Sequence, residues 1–269
     1  MINFPNAKIN IGLNITEKRK DGFHTIETIF YPIQLADILE INKTNDNFSF
    51  TSTGIFFDHG DENNICINAY QLLKNNYSLP PVRIHLHKNI PVGAGLGGGS
   101  SDAAFTLSML NSLLNSGLPG NELMKIAEKA GSDCPFFIYN KPAYATGKGD
   151  ELTPIDLNLK GYFLVLVYPM IHVNTAAAYK KITPKPSIYP LTELIQQPID
   201  TWKDNIKNDF ENIIFKMHPE VEKIKLHMYD SGALYAAMSG SGSAVFGLFK
   251  EKINLKSIFT NYFIWSEWL

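Results

Sequence analysis

The sequence has few of the features of a secreted, membrane-spanning or disulfide-stabilised protein. It has two cysteines, Cys66 and Cys134, too few for the disulfide framework of a small secreted domain. Its longest apolar run, residues 161–173, is about 13 residues long, whereas a helix needs roughly 20 to cross a bilayer. The first residues, Met-Ile-Asn-Phe-Pro, do not resemble a signal peptide. We therefore expect a cytoplasmic protein.

An excess of charge of one sign is also missing. The 269 residues include 24 Lys and Arg against 26 Asp and Glu, which gives a net charge of −2. Nucleic acids and anionic membranes attract strongly basic surfaces, so this balance argues against both partners. A phosphorylated or acidic ligand would have to be bound by local donors. The length allows one large domain or two smaller ones.

The hydrophobic pattern predicts an α+β protein. Residues 7–15 and 82–87 alternate between apolar and polar side chains, as half-buried strands do, with Lys8 and Asn10 on the polar face of the first. Further strands are predicted over 23–33, 38–42, 48–53, 142–145 and 162–167, and helices over 62–75, 101–115 and 121–130.

The second half of the chain has a different pattern. Residues 174–230 are mainly helical in pattern and are punctuated by prolines. Residues 236–249 contain a turn of small residues followed by an apolar strand. We therefore expect two lobes with a boundary near residue 155.

A glycine-rich segment is the most informative part of the sequence. It consists of Pro91, Val92, Gly93, Ala94, Gly95, Leu96, Gly97, Gly98, Gly99, Ser100 and Ser101. Because glycine weakens helices and strands, this density indicates positive φ angles or a close approach of the backbone to a ligand. The helix predicted next would supply unpaired N–H groups and the positive end of its dipole, which bind phosphate oxygens.

Three known phosphate-binding loops fit this segment poorly. No lysine follows the glycines, which excludes G-x-x-x-x-G-K-[ST]. Gly93, Gly95 and Gly98 satisfy the dinucleotide pattern G-x-G-x-x-G, but the preceding strand alternates and no acidic residue ends a strand about 20 residues on. The V-A-I-K of protein kinases is missing. A tight turn without a ligand is a further alternative.

The segment P-V-G-A-G-L-G-G-G-S-S-D-A-A resembles the ATP loop of the GHMP kinases, P-x-x-x-G-L-[GS]-S-S-[AG]. The resemblance implies a two-lobed α+β fold. Its N-terminal lobe has a mostly antiparallel sheet with helices, similar to ribosomal protein S5 domain 2, and its C-terminal lobe is α+β. It also implies bound ATP, with Mg²⁺ held mainly through the phosphates, in a cleft between an ATP-binding domain, residues 1–155, and a C-terminal domain, residues 156–269.

Two further segments resemble catalytic positions of that family. N-A-K-I-N-I-G-L at residues 6–13 matches its opening strand, which implies that Lys8 is catalytic and that Asn10 binds substrate. G-S-D-C-P-F at residues 131–136 matches G-[AS]-D-x-P-F, which implies that Asp133 is catalytic. From the residues alone, Lys8 also fits a solvated surface lysine, and Asp133 an N-cap before Pro135.

The acceptor is indicated by D-G-F-H at residues 21–24, which resembles D-G-[YF]-H of one branch of the family. Members of that branch phosphorylate the 2-hydroxyl of 4-diphosphocytidyl-2-C-methylerythritol. The resemblance implies that Phe23 stacks on cytosine and that His24 hydrogen-bonds its edge, a suitable way to hold a pyrimidine. Phe30 matches a second aromatic beside the cytidine. Asn64 matches an asparagine near the adenine, although it also fits a helix cap.

The remaining matches lie in the C-terminal half. M-S-G-S-G-S-A at residues 238–244 resembles the third motif of the family, S-G-[ST]-G-x-x-x-F, and implies that Gly240 and Ser241 bind substrate. A tight turn before a strand is the alternative. Thr175 and Tyr179 fall where the family contacts substrate from its second lobe. The last 20 or so residues have no predicted role.

Other functions are disfavoured by particular residues. A GHMP kinase for homoserine, mevalonate or a sugar would not need Phe23 and His24. A catalytically inactive nucleotide-binding protein would not need both Lys8 and Asp133. We therefore expect a small-molecule kinase, acting as a monomer or homodimer without nucleic acid or membrane partners.

Overall fold

The chain folds into two compact units that alternate along the sequence. The structure, a computed structural model, describes residues 1–55, 64–114 and 117–269. Unit 1 comprises Met1–Ala7, Gln34–Val92 and Gly97–Lys141, and unit 2 comprises Lys8–Ile33, Gly93–Leu96 and Pro142–Leu269. Two long strands, β2 (Asn6–Lys18) and β3 (His24–Ala36), begin in one unit and end in the other. The packing therefore interleaves the chain; the single domain boundary at residue 155 stays a prediction.

Unit 1 is built on a four-stranded sheet. Its order is β1 (Ile2–Asn3), β4 (Ile38–Lys43), β6 (Val82–Lys88) and β5 (Ser49–Gly54). β6 is antiparallel to β4 and parallel to β5. The alternation predicted for residues 82–87 is confirmed, because Val82, Ile84 and Leu86 are buried and Arg83 is exposed. This pattern gives the sheet one apolar face.

Four helices belong to unit 1 in the part of the chain that the structure describes. They are α1 (Ile65–Lys74), α2 (Gly98–Asn111), α3 (Gly120–Ala130) and α4 (Cys134–Tyr139). The helix predicted over 62–75 begins at Ile65 in the described residues; residues 62 and 63 lie outside them. The helix predicted over 101–115 begins three residues earlier, at Gly98, and ends at Asn111. α2 packs against α1, α4 and β4, so the glycine loop leads directly into the middle of unit 1.

A buried lysine links the sheet of unit 1 to α2. Lys88 occupies the next position on the apolar face of β6, and its ammonium donates to the carboxylates of Asp37 and of Asp102 on α2, the latter at 2.6 Å. Burial favours the neutral amine, but the two carboxylates raise the pKa of Lys88 above its ordinary value. Burial, together with the charge of Asp37, raises the pKa of Asp102 well above its usual range, although Lys88 opposes this. Two acids thus share one base beside the start of α2.

Unit 2 contains two further sheets. The first has the order β2, β3, β7 (Ala143–Thr146) and β8 (Glu151–Pro154). The second has the order β10 (Tyr235–Met238), β11 (Val245–Phe249), β9 (Phe163–Tyr168) and β12 (Phe263–Trp268), with antiparallel neighbours throughout. The C-terminal residues without a predicted role therefore form an edge strand.

Mostly short helices lie between β9 and β10 in the chain, as the pattern of residues 174–230 predicts. They are α5 (Thr175–Tyr179), α6 (Leu191–Leu194), α7 (Trp202–Asn205), α8 (Glu211–Met217) and α9 (Pro219–Asp230), with a 3₁₀ turn over Ile199–Thr201. Leu13 and Ile15 of β2 share one buried apolar cluster with Val165, Phe210 and Val245. Among the residues described, none of the helices reaches the length and apolarity that crossing a bilayer requires.

Candidate active site

Lys8 and Asn10 form a buried polar pair on β2. Their exposed fractions are 3% and 2%, so the expectation of a half-buried strand is wrong at these positions, and Lys8 is not a solvated surface lysine. The Lys8 ammonium donates to Asn10 Oδ1 at 2.6 Å and to Gly95 O at 3.3 Å, and lies 4.8 Å from the centre of the Phe30 ring. Asn10 Nδ2 in turn donates to Thr28 Oγ1 at 3.0 Å. A cation is therefore held in one place beside the glycine loop.

The middle of the glycine loop, Gly93–Leu96, belongs to unit 2. Its carbonyl groups accept hydrogen bonds that hold it in place. Gly95 O accepts from Ser239 Oγ at 2.9 Å, Ala94 O accepts from Ala244 N at 3.1 Å, and Leu96 O accepts from Lys8 N at 3.0 Å. Gly95 has a φ of +81°, and a methyl group there would overlap the Ser239 carbonyl oxygen. The third motif and β2 thus fix the path of the loop.

We expect Gly95→Ala to lower the free energy of unfolding by more than the conformational cost of its backbone. That cost is about 1–2 kcal/mol for a left-handed residue with a Cβ, and the overlap with Ser239 O adds to it. Gly161→Ala is the matched control, because Gly161 has a φ of +88° but a Cβ there would meet nothing within 4 Å. Urea titration of both variants measures the difference; equal losses would show that the loop yields easily at Gly95.

The end of the loop, Gly97–Ser101, belongs to unit 1 and starts α2. Gly97 has a φ of +70° and its carbonyl accepts the first helical hydrogen bond, from Ser101 N at 2.9 Å. A Cβ at Gly99 would meet nothing nearer than a methyl group of Ile65 at 4.0 Å, so packing does not require glycine there. Glycine in a first helical turn costs stability. The missing side chain instead leaves the N–H groups of this turn open to a ligand.

Asp133 lies immediately before α4, which packs against α2. The Ser100 side chain of the loop hydrogen-bonds to the thiol of Cys134, the residue after Asp133; burial raises the pKa of that thiol to about 12 and the bond opposes the rise. Asp133 makes no capping hydrogen bond to α4, so the N-cap alternative does not describe its side chain. Within unit 1, the start of the phosphate-loop helix and the aspartate segment are thus neighbours.

Asn64 has the structural role that the sequence left open as an alternative. Its side-chain oxygen accepts from Cys66 N at 3.0 Å and caps α1. The capping bond uses the oxygen of the amide, which orients the side chain at the start of the helix. Its predicted contact with adenine stays a prediction.

The residues predicted to hold the acceptor converge in unit 2. The His24 ring stacks on Tyr179 with centroids 4.8 Å apart, and Tyr179 meets Phe210 edge-on at 4.9 Å. Partial burial and the charge of Lys18 lower the pKa of His24, which favours a neutral imidazole. Thr175 Oγ1 and Ser241 Oγ share a hydrogen bond of 2.7 Å. Two pairs of predicted acceptor residues that are distant in sequence, His24 with Tyr179 and Thr175 with Ser241, are therefore in contact.

Phe23 differs from the other acceptor residues in its exposure. Its side chain is 59% exposed, and the Lys148 ammonium lies 5.4 Å from the centre of its ring. A large apolar side chain left open to solvent is available to stack on a planar ligand. The Lys148 ammonium therefore forms a cation–π contact with this ring.

The two units divide the predicted site residues between them. Unit 2 holds Lys8, Asn10, Phe23, His24, Phe30, Gly93, Ala94, Gly95, Leu96, Thr175, Tyr179, Gly240 and Ser241. Unit 1 holds Asn64, Pro91, Val92, Gly97, Gly98, Gly99, Ser100, Ser101 and Asp133. A site in the cleft between lobes stays a prediction.

Sequence reasoning missed two residues of the Lys8 cluster. Ser239 lies within the third motif and is fully buried; its hydroxyl accepts from Asn10 N at 3.2 Å and donates to Gly95 O. Thr28 is also fully buried and donates to Gly12 O at 2.5 Å. The motif gave a signal for Ser239, whereas nothing in the local sequence distinguishes Thr28 from any other strand threonine.

Both halves of the chain match models of one protein family. Residues 64–141 match the GHMP kinases N terminal domain, and residues 191–262 match the GHMP kinases C terminal domain. The chain is 51% identical over 267 residues to a 4-diphosphocytidyl-2-C-methyl-D-erythritol kinase of Parabacteroides distasonis, covering 98% of each protein. It is 52% identical over 258 residues to the protein of the same name from Bacteroides fragilis, covering 94% of each.

Solved structures agree with the sequence comparison. A crystal structure of 4-(cytidine 5'-diphospho)-2C-methyl-D-erythritol kinase superposes with a TM-score of 0.80 at 33% identity, over 92% of this chain and 90% of that one. A mevalonate kinase from Methanococcus jannaschii superposes with a TM-score of 0.73 at 17% identity, over 100% and 98% of the two chains. The second likeness concerns the fold alone.

Proposed function

The chain belongs to the 4-diphosphocytidyl-2-C-methyl-D-erythritol kinases of the GHMP kinase family, and we propose from this membership which of its residues carry the reaction. It is an ATP-dependent kinase that phosphorylates the 2-hydroxyl of 4-diphosphocytidyl-2-C-methyl-D-erythritol in the non-mevalonate pathway to isoprenoid precursors. The observation that supports the proposed site most directly is the buried ammonium of Lys8 beside the carbonyl of Gly95. A buried cation next to a phosphate-binding loop suits the binding of a highly charged anion.

We assign ATP binding to the glycine loop, residues 91–101, with Asn64 near the adenine. The N–H groups at the start of α2 and the helix dipole bind phosphate oxygens. Gly99 supports this assignment, because its missing side chain is explained by no packing contact. The fixed path of Gly93–Leu96 keeps the loop in shape before ATP arrives, and such preorganisation contributes to a transfer that depends mainly on positioning.

We assign the chemical step to Asp133 and Lys8. Asp133 accepts the proton of the 2-hydroxyl as the substrate oxygen forms a bond to the γ-phosphorus and the bond from that phosphorus to the bridging oxygen of ADP breaks. The products are the 2-phosphate and ADP. Lys8 offsets negative charge in the transition state. The contacts of the Lys8 ammonium to Asn10 and Gly95 restrict its position, which supports a fixed electrostatic role.

Mg²⁺ completes the proposed site. Among the residues that the structure describes, no group of three or more His, Cys, Asp or Glu side chains is placed to bind a metal ion. We propose an ion held mainly through the ATP phosphates and water, as Mg²⁺ usually is in kinases. When bound, Mg²⁺ neutralises charge on the phosphate oxygens during transfer.

We assign the cytidine end of the acceptor to Phe23, His24 and Phe30, with further contacts from Asn10, Thr175, Tyr179, Gly240 and Ser241. The exposed Phe23 ring offers a stacking face, and the lowered pKa of His24 keeps its imidazole neutral, so that one ring nitrogen can accept a hydrogen bond.

We further propose a cytoplasmic monomer or homodimer without nucleic acid or membrane partners. The two cysteines are buried free thiols, which supports a reducing compartment.

Acceptor choice is tested by measuring ADP release. The protein is incubated with ATP, Mg²⁺ and one acceptor: diphosphocytidyl-methylerythritol, homoserine or mevalonate. We expect turnover with the cytidyl substrate alone and its loss when EDTA removes the metal. Phe23→Leu removes the stacking face and should raise KM for the cytidyl substrate about tenfold, since base–aromatic stacking contributes roughly 1–3 kcal/mol. ADP release at background level with the cytidyl substrate would contradict the acceptor assignment.

A further inference from the structure

One segment of unit 2 contacts two parts of the site without belonging to it. Asn208-Asp209-Phe210-Glu211 lies at the start of α8, and its polar side chains point to β2 and to the turn after β10. We propose that Asn208 and Glu211 are positioning residues that hold the Met238–Gly240 backbone in the geometry required for phosphoryl transfer. This inference rests on the proposed function.

Asn208 uses its amide on both sides of Ser239. Its Nδ2 donates to Met238 O and to Gly240 O, each at 2.8 Å, and its Oδ1 accepts from Phe210 N at 3.0 Å. The residue is 2% exposed, so these bonds have no competition from bulk water. The carbonyl groups of Met238 and Gly240, the residues on either side of Ser239, therefore both point to the Asn208 side chain. These bonds fix the planes of the Met238–Ser239 and Gly240–Ser241 peptides.

Glu211 holds the other end of the same turn. Its Oε1 accepts from Met238 N at 2.9 Å and its Oε2 accepts from the Lys225 ammonium at 2.7 Å. Met238 is the last residue of β10, so Ser239 and Gly240 lie beyond the ladder to β11. The backbone groups of Met238 are thus held by two side chains of one segment.

The same segment also holds the strand that carries Lys8 and Asn10. Asp209 Oδ2 accepts from Ile15 N at 2.8 Å, and Asp209 N donates to Leu13 O at 2.9 Å. β2 and the Met238–Gly240 turn therefore both form hydrogen bonds with this one segment.

The held turn contacts proposed site residues directly. Ser239 Oγ bonds to Asn10 N and to Gly95 O, and a Cβ at Gly240 would lie 3.1 Å from Gly95 O and 3.3 Å from Asn10 Oδ1. The turn, the glycine loop and Asn10 are therefore packed without spare room. Rotation of the peptides that Asn208 holds would therefore displace Ser239 and Gly240 relative to Gly95 and Asn10. In phosphoryl transfer, a displacement of about 1 Å can cost on the order of 10²-fold in rate.

The test compares Asn208→Ala with a variant that weakens the fold elsewhere in unit 2. Val221→Ala removes two methyl groups from a fully buried position on α9 whose side chain cannot hydrogen-bond to the turn. Melting temperature, kcat, KM for both substrates and the dissociation constant of ATP are measured for each. We expect both variants to melt a few degrees lower, kcat to fall on the order of 10²-fold for Asn208→Ala, and kcat to stay near the wild-type value for Val221→Ala.

A second pair covers the case in which Asn208→Ala does not fold. Glu211→Gln keeps an oxygen that can accept from Met238 N but removes the ion pair with Lys225, whereas Glu211→Ala removes both. A positioning role predicts that Glu211→Gln retains kcat within about threefold. It predicts that Glu211→Ala lowers kcat at least about tenfold, because displacement of a reacting group slows the reaction by such factors. A role limited to the ion pair predicts equal losses.

The outcomes separate the inference from the proposed function. Normal wild-type turnover, with Asn208→Ala no slower than Val221→Ala or with Glu211→Gln as slow as Glu211→Ala, would overturn the inference and leave the function intact. Wild-type protein that is inactive on the cytidyl substrate would overturn both. Loss of kcat confined to Asn208→Ala and Glu211→Ala would establish the positioning role.

Discussion

Asp133→Ala should lower kcat by about 10²–10⁴-fold, the usual contribution of a general base, and should leave the dissociation constant of ATP nearly unchanged. The carboxylate is assigned to the hydroxyl of the acceptor, whereas ATP is assigned to the glycine loop, so the two losses separate. Single-turnover rates of ADP formation and calorimetric titration with an ATP analogue measure both quantities. Because Asp133 makes no capping bond to α4, removing its carboxylate costs that helix no hydrogen bond at its start.

A control for this variant exists in the same unit. Asp46 is an exposed carboxylate whose partner is Arg83, and Asp46→Ala should leave kcat unchanged. A decrease of less than about tenfold for Asp133→Ala would contradict the assignment of the base, since it falls below the range for that role. A parallel decrease in ATP affinity would place Asp133 with the nucleotide.

Lys88→Met should lower the free energy of unfolding at pH 7 by about 3–5 kcal/mol, the cost of leaving one side of a buried ion cluster without its partner. Lys88 is 2% exposed and donates to both Asp37 and Asp102, so its loss leaves two buried acids facing each other. Urea denaturation measures the loss. Asp102→Asn is the matched control, because it leaves Lys88 paired one-to-one with Asp37, and should cost about 1 kcal/mol.

The deficit of Lys88→Met should depend on pH in a defined direction. The pKa of Asp102 is already raised in the native protein, and Lys88 is the group that opposes this rise. A carboxyl with a folded-state pKa above its unfolded value of about 3.9 stabilises the fold below that value and loses this contribution as pH rises through the folded-state pKa. The variant should therefore recover part of its stability as pH falls from 7 towards 4. A deficit that is equal at pH 5 and pH 7, or no greater than that of Asp102→Asn, would contradict a shared buried charge.

The sequence predicts the strands and helices where one periodic pattern dominates. The alternation of residues 7–15 and 82–87 corresponds to β2 and β6, and the helix predicted over 121–130 corresponds to α3. Alternation does not report what covers the polar face, which is why Lys8 and Asn10 were expected at a half-buried surface although they are buried by Gly95, Phe30 and Thr28. Glycine propensity placed the start of α2 at Ser101, but packing of the loop overrides propensity.

Contacts between distant residues explain the other differences. Ser239 meets Gly95 across 144 positions, and β12 pairs with β9 about 100 positions earlier, so no local window contains either partner. Resemblance of short motifs predicts the residues of the candidate site. Such motifs identify Lys8 and Asp133. They do not identify Asn208 or Thr28, because the roles of these two residues depend on hydrogen bonds to backbone groups elsewhere in the chain.

The second sheet of unit 2 has a consequence for how the chain is made. Its central strand β9 lies between β11 and β12, so both of its neighbours are synthesised later and the second comes from the final residues. Unit 1 ends at Lys141, with about half of the chain still to be translated. Because domains fold during synthesis from the N-terminus, unit 1 can fold on the ribosome while β9 waits exposed. The nascent chain therefore exposes an apolar strand until its partners are made, and unpaired strands of this kind favour aggregation.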